Sequence, residues 1–250
     1  MNNNTPKVIA NWKMNGNKSL ISLWLESLQK NLTIQKQSKC LFCPPLCYLD
    51  FTQQEINKNK MKISLGAQNF DIDLSNSLTG GVSGPMLSDL HCKSIIIGHS
   101  ERRLNFKEDD KILLEKVNSA KKYGLQIIYC VGETLEEKNK KSFRSTIKNQ
   151  LSILEGVDLN NLFIAYEPVW AIGSGQFADP KYIEEVHRFI KDELKSIQKS
   201  EINYPVLYGG SVNLSNSLEL FALKEVSGLL VGGASLDANI FSEIVNQIAG

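Results

Sequence analysis

Long apolar runs are missing from this 250-residue sequence. No stretch approaches the roughly 18 apolar residues that a membrane-spanning helix needs, so no membrane partner is expected. No secretory leader is expected either, since Met1 to Lys7 runs into a short apolar stretch with no basic segment, long apolar core or small-residue cleavage site. A cytoplasmic protein is expected. An excess of either charge is also absent, with 28 Lys and Arg against 27 Asp and Glu and a net charge of +1. No bulk field favours nucleic acid or an anionic surface, and any phosphate ligand must be held by local geometry. Cysteine is sparse and odd in number, at five. Cys40, Cys43 and Cys47 crowd together, but no second pair of Cys or His follows at ligand spacing, so reduced thiols are expected, with neither a disulfide framework nor a metal. No Gly-x-Gly-x-x-Gly follows the first apolar run, which excludes a Rossmann oxidoreductase. Low-complexity linkers and residue-level repeats are missing, and residues 1–250 read as one domain.

The composition is that of an ordinary globular chain, 42% hydrophobic and 22% charged. Short runs rich in branched residues alternate with longer segments of helical period. The runs predict strands at Val8–Asn11, Leu41–Cys43, Ile63–Ala67, Ser94–Ile97, Gln126–Val131, Phe163–Tyr166, Pro205–Tyr208 and Leu229–Val231. Asp179-Pro180 pairs a capping carboxylate with proline at the first helical position, and Asn213 is a second cap. A long helix is expected from Lys107 to Tyr123, closed by Gly124. Eight parallel strands with a helix after each can form an open doubly wound sheet or a closed barrel, and pattern alone allows both.

The unusual clusters fall directly after predicted strands, where barrel enzymes build their sites. Asn11-Trp12-Lys13-Met14-Asn15-Gly16 follows the first, Gly98-His99-Ser100-Glu101-Arg102-Arg103 the fourth and Glu167-Pro168-Val169-Trp170 the sixth. The seventh and eighth end in Gly209-Gly210-Ser211 and Gly232-Gly233-Ala234-Ser235. Together they supply a cation, a histidine, a carboxylate and two double-glycine turns, which is equipment for proton transfer on a phosphate-bearing substrate. A single glycine pair is an ordinary turn; two after consecutive final strands match the place where barrel phosphate sites recur. His91 and His187, on helical segments, carry no assigned chemistry.

These motifs, with Cys130-Val131-Gly132-Glu133, Ala165 to Gly173, Tyr208 to Val212 and Leu230 to Leu236, resemble the triosephosphate isomerase family in order and spacing from about Val8 to the end. The resemblance implies a single-domain (β/α)8 TIM barrel, and a cofactor-free isomerase of triose phosphates in glycolysis and gluconeogenesis. It implies Glu167 as the base and His99 as a neutral electrophile. It gives Lys13 and Asn11 as donors to substrate and transition state, with Glu101 beside the lysine. Phosphate is expected at Gly173, Ser211, Gly232 and Gly233 as well as Lys13 and Asn11. Pro168 to Ala178 is expected to be a lid, and the long segment Asn69 to Pro85 a loop that carries Thr79 into the partner of a homodimer. Two departures stand out. Ser174 and Gln176-Phe177 replace the family's usual threonine and lysine-valine, and Thr79-Gly80-Gly81 lacks the usual carboxylate after Thr-Gly. The alternatives are another sugar-phosphate aldose–ketose isomerase or a non-catalytic barrel relative acting as an interaction protein.

Overall fold

In the computed structural model, which describes residues 7–72, 77–157, 161–173, 175 and 177–248, eight parallel strands close into a barrel in sequence order. They are β1 (Val8–Asn11), β2 (Cys40–Cys43), β3 (Ser64–Ala67), β4 (Ser94–Ile97), β5 (Gln126–Val131), β6 (Leu162–Tyr166), β7 (Val206–Tyr208) and β8 (Gly228–Val231). Pairing of Val8 with Leu229 closes the ring. The doubly wound sheet is thus excluded. Several ends differ by one residue from the sequence pattern. Pro205 falls outside β7 because it has no N–H for the ladder, although its carbonyl accepts from Ile164.

The strands are buried almost throughout, as expected of a sheet covered on both faces. Alternation sorts their side chains into two packed sets. Ile9, Leu41, Ile96, Ile128, Phe163, Ala165, Leu207 and Leu230 form one cluster inside the barrel. Their neighbours Val8, Ala10, Phe42, Ile97, Tyr129, Ile164, Tyr208 and Val231 pack outward, in the cluster that contains the helix faces. Those faces follow the helical period: Ile21, Trp24, Leu25 and Leu28 in Lys18–Asn31, and Ile183, Val186, His187, Ile190 and Leu194 in Pro180–Gln198.

Caps fix where the helices start. Asp179 accepts from the N–H groups of Lys181 and Tyr182, and Asn213 forms a capping box with Asn216. The helix expected from Lys107 begins instead at Asp110, because Asp109 caps it through Ile112 N–H and Lys107 has a φ of 55°. Gly124, at φ 67°, follows its end. His91 was expected to be helical, yet it lies just past the helix Gly84–Asp89 at φ 59°. The five cysteines are free thiols; Cys47 is exposed and the other four are buried. Among the described residues no helix is long and apolar enough to cross a membrane.

Candidate active site

Strand parity delivers two of the expected residues to the barrel mouth. Ile9 faces inward, so Asn11 does too; Phe163 and Ala165 face inward, so Glu167 continues their row past the end of β6. His99 has the opposite parity to inward-facing Ile96 plus two, and Gly98, at φ 74°, supplies the turn that brings its ring into the mouth. Lys13 reaches it through a left-handed backbone at φ 51°, held by its N–H to Asn11 Oδ1 at 3.1 Å and by Gln68 Nε2 donating to its carbonyl at 3.0 Å. These residues line one cavity of about 510 Å³ with Gly209, Gly210, Ser211, Gly232 and Gly233, and with Gly173 and Gly175 from the expected lid.

Glu167 is buried at 1% exposure. Its Oε2 accepts the Ser100 N–H at 3.0 Å. Oε1, also buried, lies 3.0 Å from His99 Nε2 without hydrogen-bond geometry. The His99 ring caps the helix Ser100–Asn105, its Nδ1 accepting the Glu101 N–H at 3.3 Å. An acceptor at Nδ1 puts the ring proton on Nε2, the nitrogen that faces Glu167 and the cavity. Two glycines make room for the carboxylate's segment. A Cβ on Gly132 would stand 2.6 Å from the Glu167 carbonyl carbon, and one on Gly209 would stand 3.1 Å from Glu167 Cγ. Gln150 grips Gly132 from behind, accepting its N–H at 2.8 Å and donating to its carbonyl at 3.0 Å. Beneath it, burial and the neighbouring Glu167 carboxylate push the Cys130 thiol well above its usual range, which keeps it protonated.

On the opposite wall Lys13 Nζ meets Glu101 Oε1 at 2.5 Å, as a charge-assisted hydrogen bond. The pair is only part-buried, so its value is orientation of the ammonium more than stability. At the far end, the turn Gly233–Leu236 follows β8 and is closed by Ser235, whose N–H and Oγ both donate to Gly232 O at 2.8 and 2.6 Å. An added Cβ on Gly233 would meet nothing within 4 Å, and one on Gly232 only Lys13 Cε at 3.9 Å. Both glycines are therefore open to a ligand.

The expected lid is tied at both ends. At its entrance the Trp170 N–H donates to Glu133 Oε1 at 2.8 Å, and Tyr166 and Tyr182 hydroxyls donate to the same oxygen at 3.0 and 3.2 Å. Glu133 is fully buried; burial raises its pKa, against these donors. Lys138 Nζ lies 3.3 Å from the Trp170 ring centroid. At its exit Ala178 N–H donates to Tyr208 Oη at 3.1 Å. Ser174 and Gln176 lie outside the described residues, while Phe177 packs against the core.

Asn11, Lys13, His99, Glu167, Gly173, Ser211, Gly232 and Gly233 thus share one cavity, with Glu101 behind Lys13. Thr79 is exposed on its loop and does not line that cavity. The sequence reading assigned no part to Ser100, Gln150, Gly132 or Trp24. Ser100 and Gly132 lie inside quoted motifs; the contacts of Gln150 and Trp24 are long-range and leave no local pattern. Fold and rim together define a class, a (β/α)8 barrel enzyme with its site at the carboxyl ends of the strands.

The comparisons narrow that class. The triosephosphate isomerase family model matches residues 6–248. A relative from Buchnera aphidicola subsp. Cinara cedri, named triosephosphate isomerase, is 41% identical over 246 residues, covering 96% of this chain and 97% of its own. Others with that name, from Nitrosococcus oceani and Escherichia coli, are 41% and 39% identical, covering 98% and 96% of this chain and 99% and 95% of their own. The chain belongs to the triosephosphate isomerase family, and its function is that of an isomerase of triose phosphates. This sets aside an isomerase of another sugar phosphate and a non-catalytic relative.

Proposed function

We propose that this cavity interconverts dihydroxyacetone phosphate and D-glyceraldehyde 3-phosphate through an enediolate, with Glu167 as base and His99 as electrophile. The observation that carries the reading is Glu167 Oε1, buried 3.0 Å from His99 Nε2 at the cavity wall. A proton next to a carbonyl is a weak acid, so its removal demands a positioned base and donors aimed at the oxygens that become charged. Glu167 moves off the Ser100 N–H, takes the proton from one substrate carbon and returns it to its neighbour. His99, with its proton on Nε2, donates to the oxygens and shuttles protons between them. Asn11 and Lys13 stabilise substrate and transition-state charge, and Glu101 orients the ammonium. Gly173, Ser211, Gly232 and Gly233 hold the phosphate through their backbone N–H groups.

Residues 1–250 act as one domain, in the cytoplasm, within glycolysis and gluconeogenesis. Two copies form a homodimer through the loop that bears Thr79. Exposed Met14, Leu78, Met86 and Phe106 support this, since all follow the ends of β1, β3 and β4 on one side of the mouth. Asp71 holds the loop's base closed, its N–H donating to the Val82 carbonyl and its side-chain carboxylate accepting the Val82 N–H. The test of the chemistry is a coupled assay on the purified full chain with glyceraldehyde 3-phosphate, with and without EDTA. Activity should survive EDTA, and Glu167→Asp, which withdraws the carboxylate by about one methylene, should lose roughly a hundredfold in kcat. Wild-type turnover in that variant would remove Glu167 as the base.

A further inference from the structure

We propose that Trp24 is a positioning residue for the phosphate turn, holding Gly232–Leu236 in its receptive shape through its indole N–H. The inference rests on the reading of Gly232 and Gly233 as phosphate donors. Trp24 lies in the helix Lys18–Asn31, far from the turn in sequence, and is 3% exposed. Its Nε1 donates to the Ser235 carbonyl at 2.8 Å, and Trp12 Nε1 donates to the same oxygen at 3.1 Å. Two donors fill both lone pairs of that carbonyl.

Ser235 is the residue on which the turn depends. Its N–H and Oγ close the turn onto Gly232 O, and its carbonyl alone receives the two indoles. The glycine side of the turn is open, so packing there does not fix its place. The Trp24 ring, by contrast, cannot wander. It lies 4.5 Å from the Phe42 ring, 5.3 Å from Phe241 and 5.5 Å from Trp12. An indole N–H is a donor only, and buried it needs an acceptor. Any displacement of the turn would orphan two buried N–H groups together, and that penalty resists distortion when an anion enters or leaves.

Trp24→Phe keeps an aromatic ring in the same place and removes the N–H, leaving Ser235 with Trp12 alone. Phe241→Leu is the control, since it loosens packing around Trp24 without touching the hydrogen bond. The probe is inorganic phosphate as a competitive inhibitor against glyceraldehyde 3-phosphate, read beside the melting temperature. Phosphate interactions act on substrate and transition state alike, so their loss raises KM and spares kcat. In Trp24→Phe the KM and the phosphate Ki should rise together by about two- to tenfold, the span of one net hydrogen bond. Phe241→Leu should lower the melting temperature with KM and Ki unchanged. Unchanged Ki and KM in Trp24→Phe, or an equal rise in both variants, would overturn the role of Trp24 alone. Failure of phosphate to compete in the wild type would instead overturn the glycine turn as a phosphate site and the inference with it. If Trp24→Phe does not fold, 3-benzothienylalanine placed at position 24, isosteric with indole but lacking the N–H, makes the same comparison.

Discussion

Gly132→Ala should cripple the site without placing any atom in the cavity's chemistry. The new Cβ would stand 2.6 Å from the Glu167 carbonyl carbon and overlap the carbonyl oxygen beside it. Ordinary contact begins at 3.4 Å and the carbonyl oxygen falls far inside it, so the two segments must part by more than about 1 Å, the scale at which misplacement costs about a hundredfold in rate. Gly132 cannot give way freely, because Gln150 holds its N–H and carbonyl at 2.8 and 3.0 Å. Glu167 is therefore the segment that moves, and its N–H bond to Val131 O at 2.7 Å is strained in doing so. The expected result is a folded protein by circular dichroism, with kcat down about a hundredfold and phosphate Ki close to wild type, since the phosphate turn follows β8 on another part of the rim. A second substitution, Gln150→Ala, should recover part of the rate by freeing Gly132 to retreat. Wild-type kcat in folded Gly132→Ala would refute the steric reasoning.

Three further outcomes are expected. Lys13→Met removes the ammonium and leaves the Glu101 carboxylate beside the cavity without its partner; calorimetry should show affinity for a phosphate-bearing inhibitor falling about 10- to 100-fold, and unchanged affinity would count against the assignment. His187 is buried and its pKa is lowered by burial from 6.5 to about 3, so between those values the unfolded chain binds a proton that the folded one refuses. Its contribution is complete above pH 6.5 and declines as pH falls; between pH 7 and pH 5 wild type should lose about 2 kcal/mol more stability in urea than His187→Gln, and parallel losses would refute this. Thr79→Arg puts a bulky charge on the proposed dimer contact and should give monomers of low specific activity in sedimentation velocity and dilution assays. Monomers with full activity would show that the loop does not complete the site.

Most of the barrel was legible because its signals are local. A buried parallel strand announces itself as a short branched run, and parity then carries Asn11 and Glu167 to the mouth without further information. Asp179-Pro180 and Asn213 marked helix starts because capping is chemistry between near neighbours. The helix begun too early at Lys107 shows the limit of that logic, since nothing in a lysine advertises a left-handed backbone, and the cap at Asp109 competes with a helical pattern running through it. The supports of the site were illegible for a different reason. Trp24 and Ser235, or Gly132 and Gln150, meet only when the ring closes, and neither pair has a periodic or motif signature of its own. The sequence motifs named the groups at the cavity wall; the groups that keep them there are a property of the closed barrel.

A few buried side-chain atoms lack a protein partner of hydrogen-bond geometry. Among the described residues they are Glu108 Oε2, Glu133 Oε2, Glu167 Oε1 and His187 Nε2. Glu133 and Glu167 directly follow β5 and β6, whereas Glu108 lies past the helix Ser100–Asn105 that comes after β4. A buried oxygen that neither protein nor water reaches costs roughly 1–3 kcal/mol. Each carboxylate anchors its neighbours through its other oxygen. Glu108 Oε1 gathers Arg102 and Lys116, each at 2.6 Å; Glu133 Oε1 gathers the Trp170 indole and two tyrosines; Glu167 Oε2 rests on the Ser100 N–H. Glu167 differs in that its unpartnered oxygen borders the cavity, where a substrate proton can satisfy it. Burying that carboxylate costs folding stability, and a Glu167→Gln variant should accordingly melt higher than wild type by differential scanning calorimetry while losing turnover. A melting point equal to or below wild type would mean that the carboxylate is not held at a cost, and that its burial is incidental to its chemistry.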